Sequence, residues 1–386
     1  MIARLGDIFT ITSGGTPDKK KSEYYANGTI PWVKTGDLKN QYVPTGIECI
    51  TEEGLKNSSA KLFPPNTVLV AMYGATIGAC SILPYEASTN QACAAFLPNE
   101  KVLPTYLYYF LSSKKEQFIK DGVGGAQPNI SAGYLKNVQF DLIPMQQQIN
   151  TVSTLDKVTE LIALRKEQLA KLDQLVKSRF IELFGSLHDN QKGLESVTIE
   201  DLCTLIKDGT HQTPTYTEDK NTGFKFLSSK DVMTQKICWE DIKYIPADLH
   251  EKLYATIQPR RNDILMSKNG VNYGVAAVND TDEIFDIYVS LALLRPRVDR
   301  VNPVYFRCAI NNPDTKRQFD GSIKGIGVPN LHLGEIKKTK ILLPPMSQQN
   351  EFVAFVEQTD KSKLSIQQSL DKLELLKKSL MQKYFG

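Results

Sequence analysis

Residues 142–185 read LIPMQQQINTVSTLDKVTELIALRKEQLAKLDQLVKSRFIELFG, and 201 positions later residues 343–386 read LPPMSQQNEFVAFVEQTDKSKLSIQQSLDKLELLKKSLMQKYFG. Leu142, Pro144, Met145, Gln147 and Gln148 return as Leu343, Pro345, Met346, Gln348 and Gln349. Further on, Leu169, Lys171, Leu172, Leu175, Lys177, Ser178, Phe184 and Gly185 return as Leu370, Lys372, Leu373, Leu376, Lys378, Ser379, Phe385 and Gly386. A gapless match over 44 residues does not arise by chance. The end of the chain copies its middle, and that repetition sets the architecture.

Each copy has the pattern of one long helix. In the first, Leu155, Ile162, Leu169, Val176 and Leu183 recur every seven residues, with Val152, Val158, Leu172 and Leu175 on neighbouring faces. No Pro or Gly interrupts from Gln146 to Phe184; Pro144 precedes the run and Gly185 stops it. In the second, Phe352, Ile366, Leu373 and Leu380 lie at multiples of seven, interrupted by Thr359, in a run clean from Ser347 to Tyr384. Amphipathic helices with coiled-coil character are predicted, each about 55–60 Å long at 1.5 Å per residue. A lone helix cannot bury such a stripe, so the two are expected to pack on each other, antiparallel because a globular segment separates them. Leu155, Ile162, Leu169, Val176, Leu183, Ile366, Leu370, Leu373 and Leu380 are the candidate packing residues. The competing arrangement is two surface helices, each lying on its own domain. Six basic against five acidic residues in each helix suit a spacer and docking surface better than a phosphate-binding arm.

Outside the helices the repeat is fainter. Asp7, Gly15, Thr16 and Asp37 align with Asp201, Gly209, Thr210 and Asp231 at an offset of 194. Gly74 and Gly78 align with Gly270 and Gly274 at 196, and Pro128-Asn129 with Pro329-Asn330 at 201. An offset that drifts by small steps marks short loop insertions. Four segments follow: a globular domain over 1–145, a spacer helix over 146–185, a second globular domain over 186–345 and a second spacer helix over 346–386. TVLVAMYG (67–74), NDILMSKNG (262–270) and YVSLALLRP (288–296) read as strands ending in tight turns. PTYLYYFLSSKKEQFIKDG (104–122) and PVYFRCAINNPDTKRQFDG (303–321) read as helices. The fold class is α+β: two pseudo-symmetric mixed α/β domains separated by two long helices forming an antiparallel coiled coil.

Composition narrows the function classes. The 386 residues give room for two or three domains, with 41% hydrophobic and 23% charged residues as in globular proteins. No run of eighteen apolar residues is present, and MIARLGDIFTITSGG lacks the basic-then-apolar pattern of a secretory signal. Six cysteines without CxxC spacing read as reduced thiols, so a cytoplasmic location is expected, with no membrane role and no metal. The net charge of +3 permits nucleic-acid binding without demanding it. A self-contained methyltransferase acting on amino groups needs a polar-Pro-Pro-aromatic tetrad, but the Pro-Pro pairs here are Phe63-Pro64-Pro65-Asn66 and Leu343-Pro344-Pro345-Met346. No GxxxxGK[ST], HExxH or GxSxG motif occurs, and DGVGGAQ (121–127) follows a helix instead of a strand. The chain is expected to catalyse nothing itself.

The ordered set RLGDIFTITSGGTP, IPWVKTGDLKN (30–40), VLVAMYGATIGA (68–79), NQACAAFLP (90–98), GGAQPNIS (124–131) and LIPMQQQ (142–148) resembles a target-recognition domain of the specificity (S, HsdS) subunit of Type I restriction–modification systems. FKFLSSKDV (224–232), ILMSKNGVNYG (264–274), GIGVPNL (325–331) and LPPMSQQ (343–349) repeat the resemblance, which covers nearly the whole chain. One departure stands out: the family commonly carries Glu-Gln where this chain has Gln147-Gln148 and Gln348-Gln349, a change of local charge that should not alter the fold.

The resemblance implies a non-catalytic subunit whose two recognition domains each read one half of a split target in double-stranded DNA, with the helices fixing the unread spacer. It implies two modification (methyltransferase) subunits as partners, carrying S-adenosylmethionine and flipping the adenine, and in some systems a restriction (motor–nuclease) subunit using ATP and Mg; this chain itself would hold no cofactor. Base reading needs side chains that offer paired donors or acceptors. By loop position the candidates are Lys34, Lys39, Tyr73, Gln127 and Asn129 in the first domain, and His211, Lys230, Lys268, Asn269, Asn272, Tyr273 and Asn330 in the second. Tyr73 and Tyr273 also suit packing, Asn129 and Asn330 also suit turn caps, and Lys19-Lys20-Lys21 suits a phosphate contact or a solvated run. The competing function is a duplicated coiled-coil adaptor without a DNA role.

Overall fold

The computed structural model describes residues 1–123, 129–323 and 329–386. The chain divides into two compact units, Met1–Lys166 with Gln368–Gly386, and Glu167–Gln367. Each unit contains one globular domain and a segment of each long helix.

In the first unit the strands Ile11–Ser13, Cys93–Phe96, Val68–Ala71 and Cys80–Ile82 form an antiparallel sheet in that order. A second sheet orders Cys49–Ile50, Ile30–Val33, Ala87–Thr89 and Leu62–Phe63, with Ile30–Val33 and Ala87–Thr89 parallel. Both faces of Val68–Ala71 are covered: Val68 and Val70 join the core beneath helix Pro104–Ser113, while Leu69 and Ala71 join the core against the other sheet. Burial on both faces is why this strand reads as a continuous apolar run and not as an alternating one.

The second unit repeats the scheme. Cys203–Asp208, Leu291–Pro296, Ile264–Ser267 and Ala276–Val278 form the antiparallel sheet in the same spatial order. Lys243–Ile245, Phe224–Leu227 and Phe285–Ile287 form the second sheet, again with one parallel pair, Phe224–Leu227 beside Phe285–Ile287. The faint sequence repeat is therefore a repeat of topology.

Registers sharpen it. Leu5 N–H donates to Val138 O, as Ile199 N–H donates to Thr339 O, which keeps the offset at 194. The register then shifts between Cys203 and Leu205, a bulge that inserts one residue. Beyond it the offset is 195, so Gly14, not Gly15, is the counterpart of Gly209. A Cβ on Gly14 would sit 2.0 Å from Thr89 O, and one on Gly209 would sit 2.3 Å from Ile287 O. Only glycine lets these backbones approach so closely.

The long helices run Met145–Phe184 and Met346–Phe385. In the first unit Leu155 shares a core with Leu380, Met381, Tyr384 and Phe385, and Lys166 pairs with Glu374 at 2.8 Å. In the second unit Phe180 and Phe184 pack edge-to-face on Phe352, and Arg179 reaches Glu351 at 3.9 Å while Asp173 pairs with Lys363. Within each unit, rising numbers on one helix meet falling numbers on the other, so the segments pack antiparallel. Leu155, Ile162 and Leu370 are buried; Leu169, Val176, Leu183, Ile366, Leu373 and Leu380 are half-buried. Thr359 fits the buried stripe because its hydroxyl donates to Phe355 O of its own helix at 2.9 Å.

Two expectations change. The segments 104–122 and 303–321 each hold two helices, Pro104–Ser113 with Lys115–Asp121 and Pro303–Ile310 with Pro313–Ser322. In the second pair Pro313 cannot continue a helix, and Asn312 caps the new one by accepting the Asp314 N–H.

Candidate nucleic-acid interface

The central strands Val68–Ala71 and Ile264–Ser267 end in turns of the same construction. Gly74 and Gly78 lie at φ +67° and +75°, and Gly270 and Gly274 at +83° and +87°, the left-handed region that glycine enters without strain. Gly78 N–H donates to Ala71 O at 2.9 Å, and Gly274 N–H to Ser267 O at 2.7 Å. Met72 and Lys268 take equivalent places, donating their N–H to Ala92 O and Ser290 O, each just before the neighbouring strand, and accepting one from Ile130 and Leu331 respectively. The next residues form backbone bridges, Tyr73 with Asn129 and Asn269 with Asn330. Four candidate residues are thus brought together in two matching pairs.

Inside this shared frame Asn129 recurs as Asn330, while the other side chains differ. Tyr73 is 45% exposed, as are Asn129, Asn272 and Asn330 in kind, and Val271 is 89% exposed. Asn269 is half-buried, and its Oδ1 has no hydrogen-bond partner among the described residues. By register Tyr73 corresponds to Asn269, while Tyr273 corresponds to the buried Ile77.

Tyr273 and Lys268 do not face solvent. Tyr273 is buried, its hydroxyl donating to Asp320 and its ring lying 3.5 Å from the Lys316 ammonium. Hydrogen bonds from Lys316 and then Tyr273 hold the Asp320 carboxyl below its ordinary range. Lys268 is 4% exposed and ion-paired with Asp208. A buried ammonium needs such a partner, and the pair fastens the turn to strand Cys203–Asp208. Both side chains are turned inward by these contacts and not toward the exposed tip of the turn.

Asp208 also sits 3.6 Å from Nε2 of His211, whose side chain is 76% exposed. Ser290 ties in a further loop: its carbonyl accepts the Lys268 N–H at 2.9 Å and its hydroxyl accepts the Ser229 N–H at 3.0 Å. Next to it Lys230 is exposed and contacts Asp231 and Asp241 O at 2.7 and 2.8 Å. Asp231 is the structural counterpart of Asp37. Each accepts the N–H three residues earlier, Asp37 from Lys34 at 2.8 Å and Asp231 from Ser228 at 2.7 Å. Lys34 is half-buried beside Glu48 at 2.6 Å, whose hydrogen bond raises the ammonium's pKa, and Lys39 is exposed. Gln127 lies outside the described residues.

Sequence reasoning missed Asp208, Ser290 and Asp320. Each acts on a residue tens of positions away, so local pattern carries no sign of it. The Asp208 carboxylate opposite a lysine-bearing turn becomes visible only once strands Cys203–Asp208, Leu291–Pro296 and Ile264–Ser267 are laid side by side.

The exposed side chains of these turns are phenol, amide and aliphatic groups on held backbone, a set that can hydrogen-bond and touch base edges. Among the described residues, no group of three or more His, Cys, Asp or Glu is arranged to hold a metal ion, and no helix is long and apolar enough to cross a membrane.

Comparison with known proteins agrees over the full length. The family described as Type I restriction modification DNA specificity domain matches residues 1–174 and again 191–375. The MjaIX specificity subunit of Methanocaldococcus jannaschii is 25% identical over 99% of this chain and 91% of its own. The EcoKI specificity subunit of Escherichia coli (strain K12) is 19% identical over 100% and 88%. The fold matches the S subunit of a Type I system from M. genitalium with a TM-score of 0.56 at 14% identity, over 100% of this chain and 96% of that one. It also matches a chain from a structural study of complex assembly and conformational transition in the type I R-M system, with a TM-score of 0.62 at 18% identity over 100% and 97%. The chain belongs to the Type I restriction–modification DNA specificity family, as the non-catalytic subunit that determines which DNA target the system recognises.

Proposed function

We propose that the domains 1–145 and 186–345 each read one half of an asymmetric, split target in double-stranded DNA, and that the spacer helices 146–185 and 346–386 set the number of unread base pairs between the halves. The observation that carries this reading is the duplicated turn frame. Backbone hydrogen bonds, glycine positions and bridges recur in both domains, and Asn129 recurs as Asn330, while Tyr73, Ala75 and Thr76 are replaced by Asn269, Val271 and Asn272. A constant scaffold bearing different tips is what two readers of two different half-sites need.

Tyr73, Asn129 and Lys39 are the exposed candidates of the first domain, and His211, Lys230, Asn272 and Asn330 those of the second, with Asn269 half-buried beside them. Partner modification subunits supply S-adenosylmethionine and methylate the adenine, which must leave the base stack to be reached. A motor–nuclease subunit, where present, brings ATP and Mg. The nearly balanced charge of the helices suits docking of protein partners and not direct phosphate contact.

The test is a map of methylated adenines in cells carrying the modification subunit with this chain or with variants. Exchange of residues 1–145 for another recognition domain changes one half of the target only. An insertion of a few residues within 150–180 changes the spacer and leaves both halves intact. A helix insertion that altered the bases read would overturn the spacer role, and a chain giving no salt-sensitive duplex binding alongside its partners would favour the adaptor reading.

A further inference from the structure

We propose that Val271 is a specificity determinant, reading the 5-methyl group of a thymine in the half-site of the second domain. This rests on the proposed function, in that the glycine-framed turns face DNA, and it adds a residue and a chemical contact.

Val271 is 89% exposed, on a turn whose neighbours are polar. A lone exposed valine is ordinary on a protein surface; its position makes this one informative. The turn is held from both sides. Gly270 N–H donates to Pro329 O at 3.1 Å, and the buried Ser267 hydroxyl donates to Asn272 O at 2.8 Å and accepts the Val275 N–H at 3.0 Å. Val271 therefore stands on fixed backbone, and its β-branched side chain has few rotamers to lose on contact. An exposed amide follows it at Asn272, and another, Asn330, is bridged through the backbone to Asn269 of the same turn. In the major groove thymine is distinguished by an acceptor and a methyl group, and aliphatic contact with that methyl is how proteins recognise it. Amides beside an aliphatic tip match an A·T pair, the amide serving the adenine edge. The equivalent place in the first domain holds Ala75, also exposed and aliphatic, so both turns keep a small apolar tip while Tyr73 and Thr76 there give way to Asn269 and Asn272.

The experiment uses the complex reconstituted with its modification subunits and duplexes carrying the mapped target, each thymine of the second half replaced in turn by deoxyuridine, which lacks only the methyl. One such replacement weakens wild-type binding about fourfold, the factor that burial of one methyl group, ~0.8 kcal/mol, corresponds to. Val271→Ser binds the thymine duplex about as weakly and no longer distinguishes it from the deoxyuridine duplex. Because Val271 packs on little, its variants keep the wild-type melting temperature. If no deoxyuridine position affects wild-type binding while Val271→Glu still weakens it strongly, the methyl contact is overturned and the DNA-facing turn stands. If Val271→Glu binds like wild type, the turn does not face DNA, and the placement of the reading surface falls with the proposal.

Discussion

Gln349 Oε1 accepts the backbone N–H of Asn302 at 2.8 Å, and Gln148 does the same for Leu103 at 3.0 Å in the other unit. Each amide also donates twice, Gln349 to Arg300 O and Pro344 O, and Gln148 to Lys101 O and Ile143 O. Both side chains are fully buried. The start of each long helix is thus locked to the loop that launches the helix beginning at Pro104 or Pro303.

Gln148→Leu and Gln349→Leu each leave a part-buried backbone N–H without its partner, which costs about 1–3 kcal/mol. Gln147→Glu and Gln348→Glu restore the family's common residue at exposed positions and change stability by no more than about 0.5 kcal/mol. Urea unfolding of the four variants checks this ordering.

Phe385 packs against Tyr106 and Phe110 in the first unit, and Phe184 against Tyr305 and Phe352 in the second. Truncation of either to Ala costs about 3–5 kcal/mol through the cavity left behind. Hydrogen exchange separates the two. Phe385→Ala deprotects strands Val68–Ala71 and Cys93–Phe96, and Phe184→Ala deprotects Ile264–Ser267 and Leu291–Pro296.

Asp208→Asn strands the buried Lys268 ammonium and costs about 3–5 kcal/mol, whereas the double variant Asp208→Asn, Lys268→Met recovers most of the loss. A double-mutant cycle read by thermal melting measures the coupling. Loss of binding confined to the second half-site in Asp208→Asn would place this pair beneath the reading turn.

Cys238 is exposed, while burial pushes the thiols of Cys80, Cys93 and Cys203 up to about 12. A raised pKa leaves a thiol protonated and unreactive throughout the neutral range. Native protein at pH 8 is therefore alkylated by iodoacetamide at Cys238, and the three buried thiols react only after denaturation. Peptide mapping checks it.

The long helices were legible because a seven-residue stripe free of Pro and Gly leaves little else possible, and their ends at Met145–Phe184 and Met346–Phe385 fall within one residue of the pattern's limits. The strand cores were legible as apolar runs. The extra residue at the bulge after Cys203 was not, because a bulge is defined by its partner strand and leaves the amino-acid pattern unchanged. Among the site residues, Lys268 and Tyr273 read as loop groups next to Gly270 and Gly274, yet Asp208 and Asp320 turn both inward. Those carboxylates lie on elements that only the tertiary fold brings near.

Phe385 has a consequence for the order of synthesis. A ribosome releases Tyr106, Phe110 and Phe140 early, but Phe385, the ring that completes their cluster, is made only after the whole second globular domain. The second globular domain is translated in full while the first still lacks its closing piece. A nascent first domain therefore carries an open aromatic surface until the helix Met346–Phe385 has been made. Chains cut short before Phe385 would fail in the domain made first.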